Sequence, residues 1–303
     1  MGYPYVNKGP VESSVGSDTG KMKNKSVVIT GAGSSGLGAA YVKAFLNAGA
    51  FVTNADINPS NEHQENPNYQ FYKCDVTVWK DQVEVFKGAI ANSPENSLDV
   101  VIANAGIGGH DSIFQLEDGD EPSEPQLRTV KVNYIGVIYT AKLAMHYFNK
   151  QDPSRDRCLI LKGSLASYLD LPGGPEYQSS KFGVRGLMCC LRTSGRMRIN
   201  LLAPWWARTG IMPDEFARHI DDMLRRIGSQ WIDLDDAGRC ALRIATDESI
   251  HGRGFVICSR EMDPNGYADM NADDYDHRDD AKWLKHIMQI SKRGMEPVDT
   301  SAN

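Results

Sequence analysis

The sequence predicts a single α/β domain built on a doubly wound, seven-stranded parallel sheet flanked by helices. Two observations carry that expectation. Short apolar or β-branched runs alternate with helical patterns from residue 25 to about 260, and the first unit reads strand, glycine-rich loop, helix, strand, acidic residue. A length of 303 residues suffices for one substantial core, and no segment repeats.

Residues 1–22 hold Gly, Pro, Ser and isolated charges without an apolar stretch of signal-peptide length, and read as a flexible leader before a body at 23–262. The first strand is Ser26 to Thr30. Gly31, Gly36 and Gly38 punctuate the loop after it, with Ser34, Ser35 and Leu37 between them. A helical pattern through Tyr41, Phe45 and Leu46 follows, and a second strand from Ala50 ends in Asp56, just before Ile57. That order suits a dinucleotide. Glycines let the backbone approach a pyrophosphate, the helix N-terminus meets its charge, and Asp56 accepts from the adenosine ribose hydroxyls.

The alternation continues with a strand at 69–74 that leads to Asp75 and Val76, and a helix at 77–92. Next comes a buried strand at 98–103 that runs into Asn104, Ala105 and Gly106. A polar loop at about 108–124 precedes a long amphipathic helix at about 125–148 that carries Asn133. Strands at 158–163, 197–203 and 254–259 and helices at 177–193 and 235–246 complete the body.

The chemistry concentrates between Ser164 and Lys181. If Pro175 and Glu176 open a helix, Tyr177 and Lys181, four apart, share one face about a turn apart. A cation beside a phenol favours the phenolate, which brings proton transfer closer to neutral pH. Ser164, thirteen residues before Tyr177, follows the apolar run at 158–161 and sits where a hydroxyl can hold a carbonyl or alcohol oxygen. The spacing alone is common. Tyr69 and Lys73 repeat it inside a strand pattern, with Asp56 where a serine would be needed.

A net charge of −6 and a pI near 5.7 offer nothing to attract nucleic acid or an anionic membrane surface, and neither is an expected partner. Six cysteines without metal-ligand spacing read as reduced thiols of a cytoplasmic protein, with no metal site.

Taken together, the motifs resemble the short-chain dehydrogenase/reductase family of the classical type, a single-domain Rossmann-like fold, over about residues 23–260. The resemblance implies a phosphate loop at Gly31 to Gly38, an adenine contact at Asp75 with Val76, and a turn at Asn104, Ala105 and Gly106. It implies a catalytic tetrad of Asn133, Ser164, Tyr177 and Lys181. Ser164 would orient the substrate oxygen and Tyr177 would act as acid or base. Lys181 would bind the nicotinamide ribose and lower the tyrosine's pKa, and Asn133 would hold a relay water. Pro204, Ala207 and Thr209 would meet the nicotinamide end. The chain departs from the family pattern in a loop one residue longer, in Trp205 where glycine is usual, and in a shorter segment between Lys181 and Pro204.

The resulting expectation is an NAD(H)-dependent oxidoreductase acting on a secondary alcohol or ketone, with NAD favoured because Asp56 repels a 2′-phosphate. A non-redox dehydratase or cyclase, or a nucleotide-binding regulator, are the alternatives. Ile107, Leu165, Tyr168, Trp205, Trp206, Met212 and Phe216 are expected to form an apolar substrate wall, with a lid at 208–229, which suits a bulky apolar or aromatic small molecule. The resemblance implies a homodimer or homotetramer through the helices at 125–148 and 177–193. Residues 263–303 read as an acidic, turn-rich tail with an amphipathic stripe at Trp283, Leu284, Ile287, Met288 and Ile290.

Overall fold

The structure is a computed structural model that describes residues 3, 5–33, 35–60, 62–108, 113, 117–170, 174–209 and 212–274. Its strands are β1 (Ser26–Thr30), β2 (Phe51–Asp56), β3 (Tyr69–Lys73), β4 (Val100–Ala103), β5 (Cys158–Lys162), β6 (Arg198–Pro204), β7 (Gly254–Ile257) and β8 (Tyr267–Asp269). They form one sheet in the order β3-β2-β1-β4-β5-β6-β7-β8. β1 to β7 pair in parallel, and β8 runs antiparallel to β7.

The expected seven strands are present, and the eighth lies in the segment read as a tail. Its three residues carry no periodicity long enough to register in sequence. They become a strand because Phe255, Val256 and Ile257 offer them an edge.

Strand side chains alternate between two cores. On one side α1 (Leu37–Asn47) and α7 (Leu234–Thr246) cover Val27, Ile29, Ile160, Leu202 and Phe255. On the other, α2 (Trp79–Asn92), α4 (Gly136–Phe148) and α5 (Pro175–Leu191) cover Val28, Val101, Leu159, Leu161 and Leu201. Burial on both faces explains why the strands read as continuous apolar runs. The order reverses between β1 and β4, and at such a reversal the loops after the strands diverge and leave a crevice at their carboxyl ends.

Described residues of the leader and of the start of the tail touch the body at several points. Tyr3 bridges Gly195, Met22 buries its side chain at the end of an otherwise exposed 3-10 turn (Thr19–Met22), and the Val11 amide donates to Asp269 at 2.9 Å. Tyr5 donates to Asp274 at 2.6 Å while the Arg192 guanidinium lies 4.1 Å from its ring centroid. Arg253 pairs with both Asp269 (2.7 Å) and Asp274 (3.0 Å). Thus Asp269 and Asp274 are ion-pair partners of the sheet edge. The stripe at 283–290 lies outside the described residues.

Candidate active site

The glycine loop follows β1 at the crevice. Gly31 has φ +72°, and a side chain there would meet the Ala105 backbone at 2.5 Å; at Gly38 one would meet the Gly31 carbonyl at 2.3 Å. Both positions therefore require glycine, and the loop is pressed against the turn after β4. Asn104 locks that contact, since its Nδ2 donates to the carbonyls of Thr30 (2.9 Å) and Gly31 (2.8 Å). Its Oδ1 is buried with no partner among the described residues.

Asp56 ends β2 and turns back to the loop. Its carboxylate accepts from the Gly33 amide at 2.8 Å and from the Asn58 amide at 2.9 Å. Ile57 beside it is 53% exposed. Asp75, after β3, accepts from Thr77, and Val76 is buried beneath it. Thr209 comes within 3.2 Å of the position a Gly36 Cβ would take, so the segment after β6 reaches the loop. Pro204 is buried at the end of β6, and Ala207 packs on the α1/α7 core. Ser35 and Leu37 lie on the loop and at the start of α1; Ser34 lies outside the described residues.

Ser164, Tyr177 and Lys181 converge at the end of β5. Pro175 occupies the first turn of α5 and Glu176 adds an acid there, as the sequence implies. Tyr177 and Lys181 fall on one face, with the Lys181 amine 5.5 Å from the phenol ring centroid. Ser164 caps a 3-10 turn (Leu165–Ser167): its Oγ accepts from the Ala166 amide at 3.2 Å and hydrogen-bonds the Tyr177 hydroxyl. Ser167, which the sequence reading passed over, ties the pieces together. Its Oγ accepts from the Ser164 amide (3.2 Å) and donates to the Lys181 carbonyl (2.8 Å), so strand end and helix are held in register.

Asn133 lies in a π-helical turn (Lys131–Ile135) between α3 (Arg128–Val130) and α4. Wider turns of this kind are frequent at functional sites. Fully buried, Asn133 accepts from the Ile107 amide and donates to its carbonyl, each at 2.8 Å. It also reaches Ser180 Oγ at 3.4 Å, and its Oδ1 would stand 3.1 Å from a Cβ on Gly106. Its side chain clamps the chain after β4 against α5.

Burial dominates the titration of the pair. It pushes the Tyr177 phenol up, opposed by the Ser164 bond, and pushes the Lys181 amine well down, helped by the nearby charge of Lys162. Lys162 itself, also missed in the sequence, is pushed down by burial to about 8. The only signal for it is a lysine that closes the apolar run Cys158 to Leu161. The Tyr69/Lys73 pair lies in β3, where the Tyr69 hydroxyl accepts from Asn54 at 2.9 Å.

Two of the expected substrate-wall residues are placed differently. The Tyr168 hydroxyl donates to Asp273 at 2.8 Å, and its ring sits under Arg185 at 4.1 Å. That hydroxyl lies against Gly254, the first residue of β7 and so the end of the strand remote from the crevice. Tyr168 is an anchor of the sheet edge. Trp205 packs on the α1/α7 core, its indole nitrogen buried without a partner among the described residues, and so backs the wall. Trp206 stands edge-on between Trp205 (6.1 Å) and the 44% exposed Phe216 (5.8 Å). Ile107, Leu165 and Met212 are half-buried.

α6 (Asp214–Arg226), which carries Phe216, begins with Asp214 and Glu215 and ends with Arg225 and Arg226, charges that complement the helix dipole. It buries Ala217, Ile220 and Leu224 on the body.

Residues 25–218 match the family model for short chain dehydrogenases, and the chain belongs to the short-chain dehydrogenase/reductase family. It is 34% identical to a 5'-hydroxyaverantin dehydrogenase of Dothistroma septosporum, over 84% of this chain and 90% of that one. It is 32% identical to a 5'-hydroxyaverantin dehydrogenase of Emericella nidulans, over 90% and 94%. Among solved structures it resembles an NADPH-dependent 3-quinuclidinone reductase of Rhodotorula rubra. The TM-score is 0.67 and the identity 23%, over 87% of this chain and 98% of that one, a likeness of fold.

Proposed function

We propose that the protein is an NAD(H)-dependent oxidoreductase that interconverts a secondary alcohol and a ketone on a bulky apolar or aromatic small molecule. One observation carries the reading: Ser164, Tyr177 and Lys181 meet at the end of β5, beside a loop that leaves no room for side chains at Gly31 and Gly38. A bound nicotinamide would supply the hydride acceptor or donor. Gly31 to Gly38, Asp56, Asn104, Lys181 and Thr209 would hold the dinucleotide.

In oxidation, Ser164 would orient the alcohol oxygen and Tyr177 would take the hydroxyl proton while the carbon bearing that oxygen gives up its hydride; in reduction both transfers reverse. Lys181, its amine 5.5 Å from the phenol ring, would hold the nicotinamide ribose, and Asn133 keeps the chain after β4 in place. Absorbance at the NADH wavelength with a panel of ketones separates this from non-redox chemistry and from binding without turnover.

Asp56 supports NAD over NADP. Its two oxygens already accept from Gly33 and Asn58, which fixes the carboxylate where a 2′-phosphate would be repelled. Lys73 is its cross-strand neighbour and is exposed. In Asp56→Ala the repulsion goes and the lysine stays, so the ratio of kcat/KM for NADH to that for NADPH is expected to fall by about 100-fold, roughly a charge pair's worth of differential binding. Equal use of the two by the unaltered protein sinks the assignment.

The aromatic edge of Trp206 and Phe216 supports an apolar substrate, since burying such surface yields about 25 cal/mol per Å². Across ketones matched in reactivity, kcat/KM is expected to rise with apolar size. Trp206→Ala with Phe216→Ala should remove most of that gradient; a gradient that survives both changes excludes this wall.

α4 and α5 support assembly as a homodimer or homotetramer. Phe182 on α5 and Trp79 on α2 are each 42% exposed, and Trp79 stands edge-on to Tyr139 of α4 at 5.4 Å. Light scattering at micromolar concentration is expected to give a dimer or tetramer mass; a monomer mass rules this out.

A further inference from the structure

Lys162 is the last residue of β5 and lies two positions before Ser164. Strand alternation puts its side chain on the α1/α7 side, with Cys158 and Ile160, and its register partner Leu202 belongs to that same core. Leu37 of the glycine loop and Trp205 pack against this core too. The lysine therefore leaves the strand end beneath the crevice, on the side of the glycine loop. Lys181 arrives from α5, on the other side of the sheet, and its amine donates to the Lys162 carbonyl at 3.2 Å. Two amines thus approach one strand end from opposite faces.

Neither amine has an acid to balance it. Among the described residues no hydrogen bond or ion pair joins the Lys162 amine to any group, and the Lys181 amine bonds only the carbonyl just named. The one charge that acts on the Lys181 amine is Lys162; Tyr177 is bonded to Ser164, and the register partner of Lys162 is apolar Leu202. Burial lowers Lys162 to about 8, which still leaves it charged at neutral pH. An uncompensated ammonium in a partly buried place is costly, and it is retained where a ligand makes use of it.

We infer that Lys162 sets which oxidation state of the dinucleotide the site prefers, holding the reduced form more tightly than the oxidised form. The inference rests on the cofactor reading above. For a hydride to pass beside the Tyr177 proton, the nicotinamide must come to the end of β5, where both lysines stand. The oxidised ring carries a positive charge and the reduced ring does not. An ammonium nearby therefore opposes the oxidised form alone, while the phosphates and adenosine, common to both forms, cancel in the comparison. The consequence is directional. With NADH favoured on the protein, the site would draw a hydride from the alcohol carbon onto the nicotinamide while Tyr177 receives the hydroxyl proton. Lys162 is a positioning charge, acting through the field at the ring.

The test is binding, without turnover. NADH is titrated by fluorescence and NAD by calorimetry into the full-length protein and into Lys162→Met, Lys162→Gln and Lys162→Arg. The ratio of Kd for NAD to Kd for NADH is expected to fall about tenfold in the Met and Gln variants, the size expected for unit charges several ångströms apart in a medium of intermediate polarity, and to recover in the Arg variant. The Met variant removes an unpaired buried charge and should melt no lower than the parent. A ratio unchanged in both neutral variants overturns the inference. So does an equal loss for both dinucleotides, which would place the amine on the phosphates instead. If the unaltered protein binds neither dinucleotide, the cofactor reading itself fails first, an outcome distinct from the other two.

Discussion

Tyr177→Phe is expected to lower kcat for alcohol oxidation and ketone reduction on the order of 10³-fold while NADH still binds within about threefold, since a positioned acid/base contributes about 10²–10⁴-fold. The substitution removes one oxygen from a helix whose start, set by Pro175 and Glu176, is untouched. Ser164 remains fixed by Ala166 and Ser167, so the oxygen-binding hydroxyl stays in place and only the proton carrier is lost. The pH profile adds a second readout. Burial holds Tyr177 protonated to higher pH, so oxidation in the parent should climb with alkalinity and reduction should decline, because one needs the phenolate and the other the phenol. Residual oxidation in the Phe variant should lose that climb. Tyr69→Phe, at the same spacing in β3, should leave kcat within about twofold, as expected of a residue outside the chemistry. Retention of most activity by Tyr177→Phe, or an equal loss at Tyr69, would remove Tyr177 from the mechanism.

The features that sequence made legible are local ones. The glycine loop, Asp56 at the end of β2, and the pair four apart behind Pro175 each depend on neighbours within a few turns of chain. What stayed hidden depends on partners far away. Tyr5 is held by Asp274, 269 residues distant, and β8 exists only because β7 offers an edge. No pattern in the first 22 residues or after residue 263 announces either. The side chain of Tyr168 is held by a distant partner for a related reason. A loop aromatic near a candidate serine reads as a pocket residue, but Asp273 claims the Tyr168 hydroxyl, while the half-buried Trp205 packs on the α1/α7 core beside Trp206. Lys162 was overlooked because a lysine at a strand end reads as a solvated terminus, whereas the sheet order places that end between two neighbours.

Arg198→Met is expected to cost about 3–5 kcal/mol of stability, the range for breaking a buried charged network from one side, and to lower Tm on the order of 10 °C. Arg198 opens β6 and is fully buried. Its guanidinium forks onto Asp156 at 2.8 and 2.6 Å and donates to the carbonyls of Ile244 (2.8 Å), Ile250 (2.9 Å), Ala245 (3.1 Å) and Asp247 (3.2 Å). Ile244 and Ala245 belong to the last turn of α7, whose final carbonyls have no partner within the helix. The arginine thus closes the helix end, the loop into β7 and the strand with one group. Methionine fills similar space but donates nothing, which strands Asp156 and buried carbonyls together. Lysine should recover only part of the loss, because a single ammonium cannot reproduce the fork. Since α7 covers the face beneath Lys162, the damage should appear in the melting midpoint and in proteolysis of the folded state, while kcat per folded molecule at low temperature stays near the parent value. A melting midpoint within about 2 °C of the parent, under 1 kcal/mol for a domain of this size, would mean that water replaces these bonds and that the end of α7 is open.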